Sequence, residues 1–136
     1  MSDRRYVKHG TPQGSSLSSL LFLIYINDCL EIPLNGYIQM YADDTVLVYS
    51  CANTEQLQKQ MQQDLSTINI WMFNNYLCFN ASKTKYMIFQ RRATEIRDIS
   101  PIYINNEQIC STSQIKYLGL IIDDKLSWKP HRYRLY

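Results

Sequence analysis

Two aspartates, Asp43 and Asp44, stand side by side in "YADDTVLVYS" (Tyr41 to Ser50), a stretch otherwise made of aromatic, apolar and β-branched residues. Adjacent carboxylates repel each other and Asp is a poor strand former, so the pair lowers stability unless a cation neutralises it. Magnesium suits that task. It is hard, takes carboxylate oxygens, and is commonly shared between one or two carboxylates and a substrate phosphate. In two-metal phosphoryl chemistry, ions about 3.5–4 Å apart stabilise the attacking and the leaving oxygen together. The same letters also describe an exposed polar turn, so the pair alone does not choose between them. A second acidic pair, Asp123-Asp124, precedes Lys125 at the end of an apolar run and reads as a turn. His9 and His131 have no metal-ligand or triad neighbour in sequence and receive no chemistry.

The elements that must carry these residues follow from periodicity. The two β-rich runs flanking the pair, Tyr37 to Tyr41 and Thr45 to Tyr49, predict a β-hairpin with its turn at Ala-Asp-Asp, although the Asn-Gly chemistry usual in such turns is absent. Before it, Leu17 to Leu30 is apolar nearly all round and is followed by Pro33 and Gly36. That predicts a buried helix capped by Ser15 or Ser16. After the hairpin, Leu57, Met61, Leu65, Ile68 and Met72 recur at steps of four, four, three and four, an amphipathic helix from Thr54 to about Tyr76 with Asn53 or Thr54 as its cap. Its glutamines (Gln56, Gln58, Gln60, Gln62, Gln63) read as a solvated face. Strands are expected at Leu77 to Phe79, Tyr86 to Phe89, Ile102 to Ile104 and Ile115 to Ile122, with a hairpin turn at Asn105 to Gln108. The order of elements predicts an α+β fold, an antiparallel sheet backed by helices.

A chain of 136 residues, 46 % hydrophobic and 19 % charged, has the composition of one packed unit rather than of a disordered segment. Its net charge of +2 is unevenly spread: −2 over residues 1–50 and +5 over residues 82–136. A basic last third can face a polyanion, or simply be a mixed solvated surface. Cys29, Cys51, Cys78 and Cys110 show no C-x-x-C spacing, which argues against zinc and against a disulfide scaffold and predicts buried free thiols in a reducing, intracellular compartment. The opening residues lack the apolar core of a signal peptide, and the longest apolar run, Leu20 to Ile26, is far short of the ~20 residues that span a bilayer. The chain reads as soluble.

Context changes the weight of the acidic pair. "GTPQGSSLSSLLF" lies about thirty residues before "YADD", and "NASKTKYMIF" (Asn80 to Phe89), "KYLGL" (Lys116 to Leu120) and "LSWKPH" (Leu126 to His131) follow it. In this order the five segments resemble those of reverse transcriptases of non-LTR, LINE-type retrotransposons, and the resemblance covers nearly the whole chain. It implies the palm of an RNA-directed DNA polymerase, from the G-x-P-Q-G loop through the Y-x-D-D hairpin to the start of the thumb. It implies two-metal transfer of deoxynucleotides to a primer 3′-hydroxyl, with Mg²⁺ (Mn²⁺ an alternative) as cofactor. RNA template, DNA primer and deoxynucleoside triphosphates are the implied partners, and no membrane is expected. Asp43 is the implied metal ligand and catalytic residue, with Asp44 assisting. Tyr41 and Ala42 are expected close to the primer terminus and new base pair, and Gln13 and Gly14 to contact nucleotide or template. Lys83 is expected near the triphosphate, with neighbouring Lys85 an alternative; Tyr117, Leu118 and Gly119 are expected to position the primer, although a core strand with a Gly bulge fits those letters equally well.

Two departures stand out. The family's Ser-Pro after its glycine loop is Ser18-Ser19 here, a local change at a helix start. The family also carries a further metal-binding aspartate in a strand well before that loop, and only Asp3 precedes Gly10 here. The expectation is a partial palm lacking fingers, first catalytic strand and most of the thumb, inactive alone because missing polymerase segments must complete the site. Two other readings stay open: a non-catalytic nucleic-acid-binding remnant using Lys116, Lys129, Arg132 and Arg134, and a relic without function.

Overall fold

The computed structural model describes residues 15–89 and 99–132. The chain forms two compact units, Met1–Tyr49 and Ser50–Tyr136.

In the first unit, Ser15 caps helix α1 (Ser16–Ile26) by accepting the Leu17 N–H at 3.3 Å. The helix tightens into a 3-10 turn, Asn27–Glu31, and stops before Pro33. A buried helix was expected; instead Leu17, Leu20, Leu21, Leu23 and Ile24 are each 51–65 % exposed, and only Ile26 and Cys29 of this segment are buried. An apolar surface running round the whole circumference needs neighbours on several sides, and among the described residues they are found at the helix's C-terminal end. Burial, and then the neighbouring Asp28 charge, push the Cys29 thiol above its ordinary value, which keeps it protonated and inert. All four cysteines are free, but Cys78 and Cys110 are exposed rather than buried as expected.

Strands β1 (Tyr37–Tyr41) and β2 (Asp44–Val48) form the anticipated hairpin, in a register running from Tyr37 opposite Val48 to Tyr41 opposite Asp44. Residues opposite each other share a face. One face therefore carries Tyr37, Gln39, Tyr41, Asp44, Val46 and Val48, while Ile38, Met40, Thr45 and Leu47 lie on the other. Gly36 is required at the hairpin's base, because a Cβ there would run into the Tyr49 ring.

In the second unit, Asn53 caps helix α2 (Thr54–Asn74) by accepting the Glu55 N–H at 2.8 Å. The other end is closed by Tyr76 at φ 55°, with Tyr76 N–H donating to Phe73 O at 3.2 Å and Leu77 N–H to Met72 O at 2.8 Å. That is the paired-bond closure usually given to glycine. Leu65 and Ile68 on α2 are buried, as are Ile102, Ile104 and Ile109 of the segment containing β4 (Tyr103–Ile104) and β5 (Glu107–Gln108). Gln62, expected to be solvated, clasps β4 instead. Its Nε2 donates to Tyr103 O at 2.9 Å and its Oε1 accepts the Tyr103 N–H at 3.0 Å, the two bonds a neighbouring strand would make. Asn69 Nδ2 adds a bond to Asn105 Oδ1 at 2.8 Å.

The expected antiparallel sheet backed by helices is seen among the described residues as small sheets. The strands among the described residues make four separate two-stranded sheets: β1–β2, β4–β5, the pair β7 (Gln114–Tyr117) with β8 (Leu120–Asp123), and a parallel pair of β3 (Lys85–Tyr86) with β6 (Cys110–Ser111). Leu77 to Phe79 is not a strand, and the run expected as one strand over Ile115 to Ile122 folds back on itself at Leu118-Gly119. The mixture of helices and strands is as expected, and among the described residues the strands pair two by two.

Helix α3 (Lys129–Arg132) follows β8, and both the helix and the residues leading into it are tied to that strand. The Ile121 N–H donates to His131 Nδ1 at 3.4 Å, and Asp123 Oδ1 accepts the N–H groups of Ser127 at 2.9 Å and Trp128 at 3.2 Å. The Asp123-Asp124 pair thus ends a strand, and Asp123 is 6 % exposed. Desolvation pushes its carboxyl up, but hydrogen bonds from the Ser127 hydroxyl and from the Ser127 and Trp128 N–H groups outweigh that and hold it below its ordinary 3.8. A carboxyl depressed in the folded state stabilises above its unfolded value, about 3.9, and loses that contribution as pH falls through the folded value. Asp123→Asn should therefore lower the thermal midpoint at pH 7, with the difference shrinking toward zero at pH values below the usual carboxylate range. Melts of both proteins across that range check it.

Candidate active site

The hairpin tip is built by a two-residue turn, Ala42-Asp43, between the facing residues Tyr41 and Asp44. Ala42 sits at φ 52°, while Asp43 is not among the residues with positive φ. Positive φ at only the first central residue is the II′ pattern, which normally recruits glycine at that position. An alanine held there costs on the order of 1–2 kcal/mol relative to relaxed backbone. Asp43 lies in the turn and Asp44 opens β2; both are exposed. Among the described residues, neither side chain makes a hydrogen bond or an ion pair. Tyr41, 64 % exposed, shares a face with Asp44. Two like charges thus stand uncompensated at a strained tip.

Free, adjacent, exposed carboxylates are the donor set a hard divalent cation takes, so Asp43 and Asp44 fit magnesium in kind. They do not suffice in number. Among the described residues no group of three or more His, Cys, Asp or Glu side chains is placed to hold a metal ion. Two ions held in fixed geometry need a further carboxylate to bridge them.

The remaining expected site residues lie elsewhere. Gln13 and Gly14 fall outside the described residues. Lys83 is exposed and lies in a turn of the second unit, between α2 and β3; Lys85, the alternative, is exposed on β3 opposite Cys110. Tyr117, Leu118 and Gly119 form one feature, the β7–β8 turn, with Leu118 at φ 46° and Gly119 at φ 85°. Positive φ at both central residues is a type I′ turn rather than a bulged core strand. Leu118 is 47 % exposed at the tip. The Tyr117 hydroxyl is enclosed, with no hydrogen-bond partner among the described residues. The structure therefore brings Tyr41, Ala42, Asp43 and Asp44 together on one hairpin and Tyr117, Leu118 and Gly119 on another.

Sequence reasoning missed Asn80. Its Oδ1 and its carbonyl oxygen gather hydrogen bonds from the three residues around Lys83. The signal was present as the Asn, Ser and Thr of "NASKT", all residues that bond their own backbone in turns.

Comparison with known proteins gives these features a context. The sequence profile of the family described as reverse transcriptase (RNA-dependent DNA polymerase) matches residues 1–122. The chain is 30 % identical over 134 residues to a probable RNA-directed DNA polymerase from transposon BS of Drosophila melanogaster, covering 93 % of this chain and 15 % of that protein. It is 27 % identical over 137 residues to the RNA-directed DNA polymerase from mobile element jockey of Drosophila funebris, covering 96 % and 15 %. Against the retrovirus-related Pol polyprotein from type-1 retrotransposable element R1 of Bradysia coprophila it is 23 % identical over 130 residues, covering 94 % and 13 %. The chain thus spans about 15 % of the length of the relatives it matches best among these. No solved structure matches it. Among the described residues no helix is long and apolar enough to cross a membrane.

Proposed function

Because the chain belongs to the reverse transcriptase (RNA-dependent DNA polymerase) family of non-LTR retrotransposons, we propose that it supplies the Y-x-D-D half of a polymerase site for RNA-templated DNA synthesis. The observation that carries this reading is the hairpin tip. Asp43 and Asp44 are exposed, adjacent and without a compensating partner among the described residues, on a turn that holds Ala42 at φ 52°. Asp43 is the ligand for Mg²⁺, or Mn²⁺ in its place, and Asp44 assists. When bound, such ions lower the pKa of an attacking hydroxyl and neutralise phosphate charge.

The chain's own residues do the rest. Tyr41, on the face of Asp44, offers a ring to the primer terminus and the new pair, and Ala42, with a single methyl, leaves room for them. Gln13 offers an amide to nucleotide or template, and Gly14 lets the backbone approach it closely. Lys83 meets the incoming triphosphate with a positive charge that stabilises the departing pyrophosphate or donates a proton to it. Leu118 and Gly119, at the exposed tip of a type I′ turn, bear on the primer backbone, with half-buried Tyr117 at its base. RNA template, DNA primer and deoxynucleoside triphosphates are the partners.

Metal binding tests the reading on the 136-residue chain as it stands. In an amide NMR spectrum, Mn²⁺ at low molar ratio should broaden the resonances of Tyr41 to Thr45 selectively, and millimolar Mg²⁺ should restore them. Uniform broadening, or broadening centred on Asp123 and Asp124, would overturn it. Two carboxylates hold too few oxygens for two ions, so primer extension by this chain alone should remain at background. Incorporation that vanishes in Asp43→Ala would show that the chain completes its own site.

A further inference from the structure

We propose that Asn80 is a positioning residue for Lys83, fixing the lysine's backbone so that its ammonium is presented in one direction. The proposal rests on the assignment of Lys83 to the incoming triphosphate.

The geometry is unusually convergent. Asn80 Oδ1 accepts the Ser82 hydroxyl at 2.7 Å and the Lys83 N–H at 3.1 Å. The Asn80 carbonyl oxygen accepts the Lys83 N–H at 3.2 Å, the Thr84 N–H at 3.0 Å and the Thr84 hydroxyl at 2.8 Å. Lys83 itself and the residues on both sides of it are thus bound to a single residue three positions upstream, through five contacts. What they leave unbound is the Lys83 side chain, which is exposed.

The turn is in turn held from beyond. Lys85 and Tyr86 form β3 against Cys110 and Ser111, and Tyr86 O accepts the Thr112 N–H at 2.9 Å. Upstream, the Tyr76 closure ends α2 firmly. A lysine stem carries several rotatable bonds, and a mobile backbone beneath it would add further disorder to be lost on binding. Anchoring the backbone removes that second loss, and this is how positioning residues contribute to a reaction they do not touch. Only an oxygen at the Asn80 side chain meets the requirement, since Oδ1 acts solely as acceptor here. Asp preserves it and Ala abolishes it.

The test uses periodate-oxidised ATP with Mg²⁺ on the full chain. The ribose dialdehyde forms imines with nearby lysine amines, borohydride reduces them to stable amines, and mass spectrometry reads the yield at Lys83 relative to Lys85 in the same sample. In the unaltered chain the label should favour Lys83 and be displaced by excess deoxynucleoside triphosphate. Asn80→Ala keeps the three contacts to the carbonyl oxygen and loses the two to Oδ1; at about 1 kcal/mol each, that loss should lower the Lys83 to Lys85 ratio by about fivefold or more. Asn80→Asp should keep the ratio within about twofold, and Thr84→Val, which removes one contact, should fall between. A merely structural role would lower both lysines together and leave the ratio unmoved. An unchanged ratio in Asn80→Ala, with label still displaced by nucleotide, overturns the positioning role and leaves the triphosphate assignment standing. Label at Lys83 that excess nucleotide does not displace overturns that assignment, and the positioning role with it.

Discussion

Asp43→Asn should leave the fold intact and remove the chemistry. In a longer polymerase carrying this segment, RNA-templated nucleotide incorporation should fall at least about a thousandfold, which is about 4 kcal/mol of barrier at 1.36 kcal/mol per tenfold. Asp43 is exposed and makes no side-chain hydrogen bond or ion pair among the described residues, so its removal forfeits no stabilising contact there. It also relieves the repulsion with Asp44, so the hairpin should be as stable or slightly more so. Hydrogen exchange at the β1 and β2 amides measures that half of the prediction, and single-nucleotide incorporation the other. An ordinary surface turn gives neither the loss nor the separation of activity from stability. On the proposed division of roles, in which Asp43 is the ligand and Asp44 assists, Asp44→Asn should cost less and Asp124→Asn nothing. Equal losses for Asp43 and Asp124 would mean that net negative charge, and not a ligand at the hairpin tip, is what matters.

The elements most legible in the sequence are those whose residues conflict with their surroundings or repeat at a regular step. Charge in an apolar, β-prone run exposed Asp43 and Asp44; the four, four, three, four spacing exposed α2, and Asn53 its beginning. Asn105 and Asn106, at φ 50° and 66°, were legible as a turn because Asn tolerates that conformation. Ala42 and Leu118 adopt positive φ without any such chemistry. Nothing in the letters Tyr-Leu-Gly-Leu-Ile-Ile says that the chain reverses, and an apolar run with one glycine was read as a single strand.

The exposed helix α1 failed for a different reason. Its sequence is that of a buried element, and burial depends on what surrounds a segment as well as on the segment. The Gln62 clasp on Tyr103 crosses 41 residues and leaves no periodic trace, so a Gln-rich face looked merely solvated. Asn80 was hidden similarly, since five hydrogen bonds to one residue are a property of a turn's conformation and not of its composition.

Ile68→Ala should cost the second unit about 2–5 kcal/mol, the usual range for emptying a buried aliphatic site. Ile68 is 1 % exposed on α2, and the other buried apolar residues of that unit's described part are Leu65, Ile102, Ile104 and Ile109. So few residues offer little scope to close around a cavity, which places the cost toward the upper end. The unit Ser50–Tyr136 is 87 residues long by subtraction. At roughly 0.05–0.15 kcal/mol per residue its whole stability is of order 4–13 kcal/mol, so one substitution consumes a large part of it. In urea, the midpoint should drop by about 1–3 M at a slope of about 1–3 kcal/mol/M. Ile70 supplies the control: the same side chain on the same helix, two positions on, 62 % exposed. Ile70→Ala should stay within about 0.5 kcal/mol of the unaltered chain. Helix propensity favours alanine at both positions, so a large difference between the two variants isolates burial as its cause. The consequence reaches the site, because α2 and the segment it packs on, β4 onward, hold the two ends from which the Asn80 turn is strung. Where Ile68→Ala loosens that frame, Lys83 should lose its single direction before Asp43 and Asp44, on a hairpin whose own register is set by β1 and β2, lose theirs.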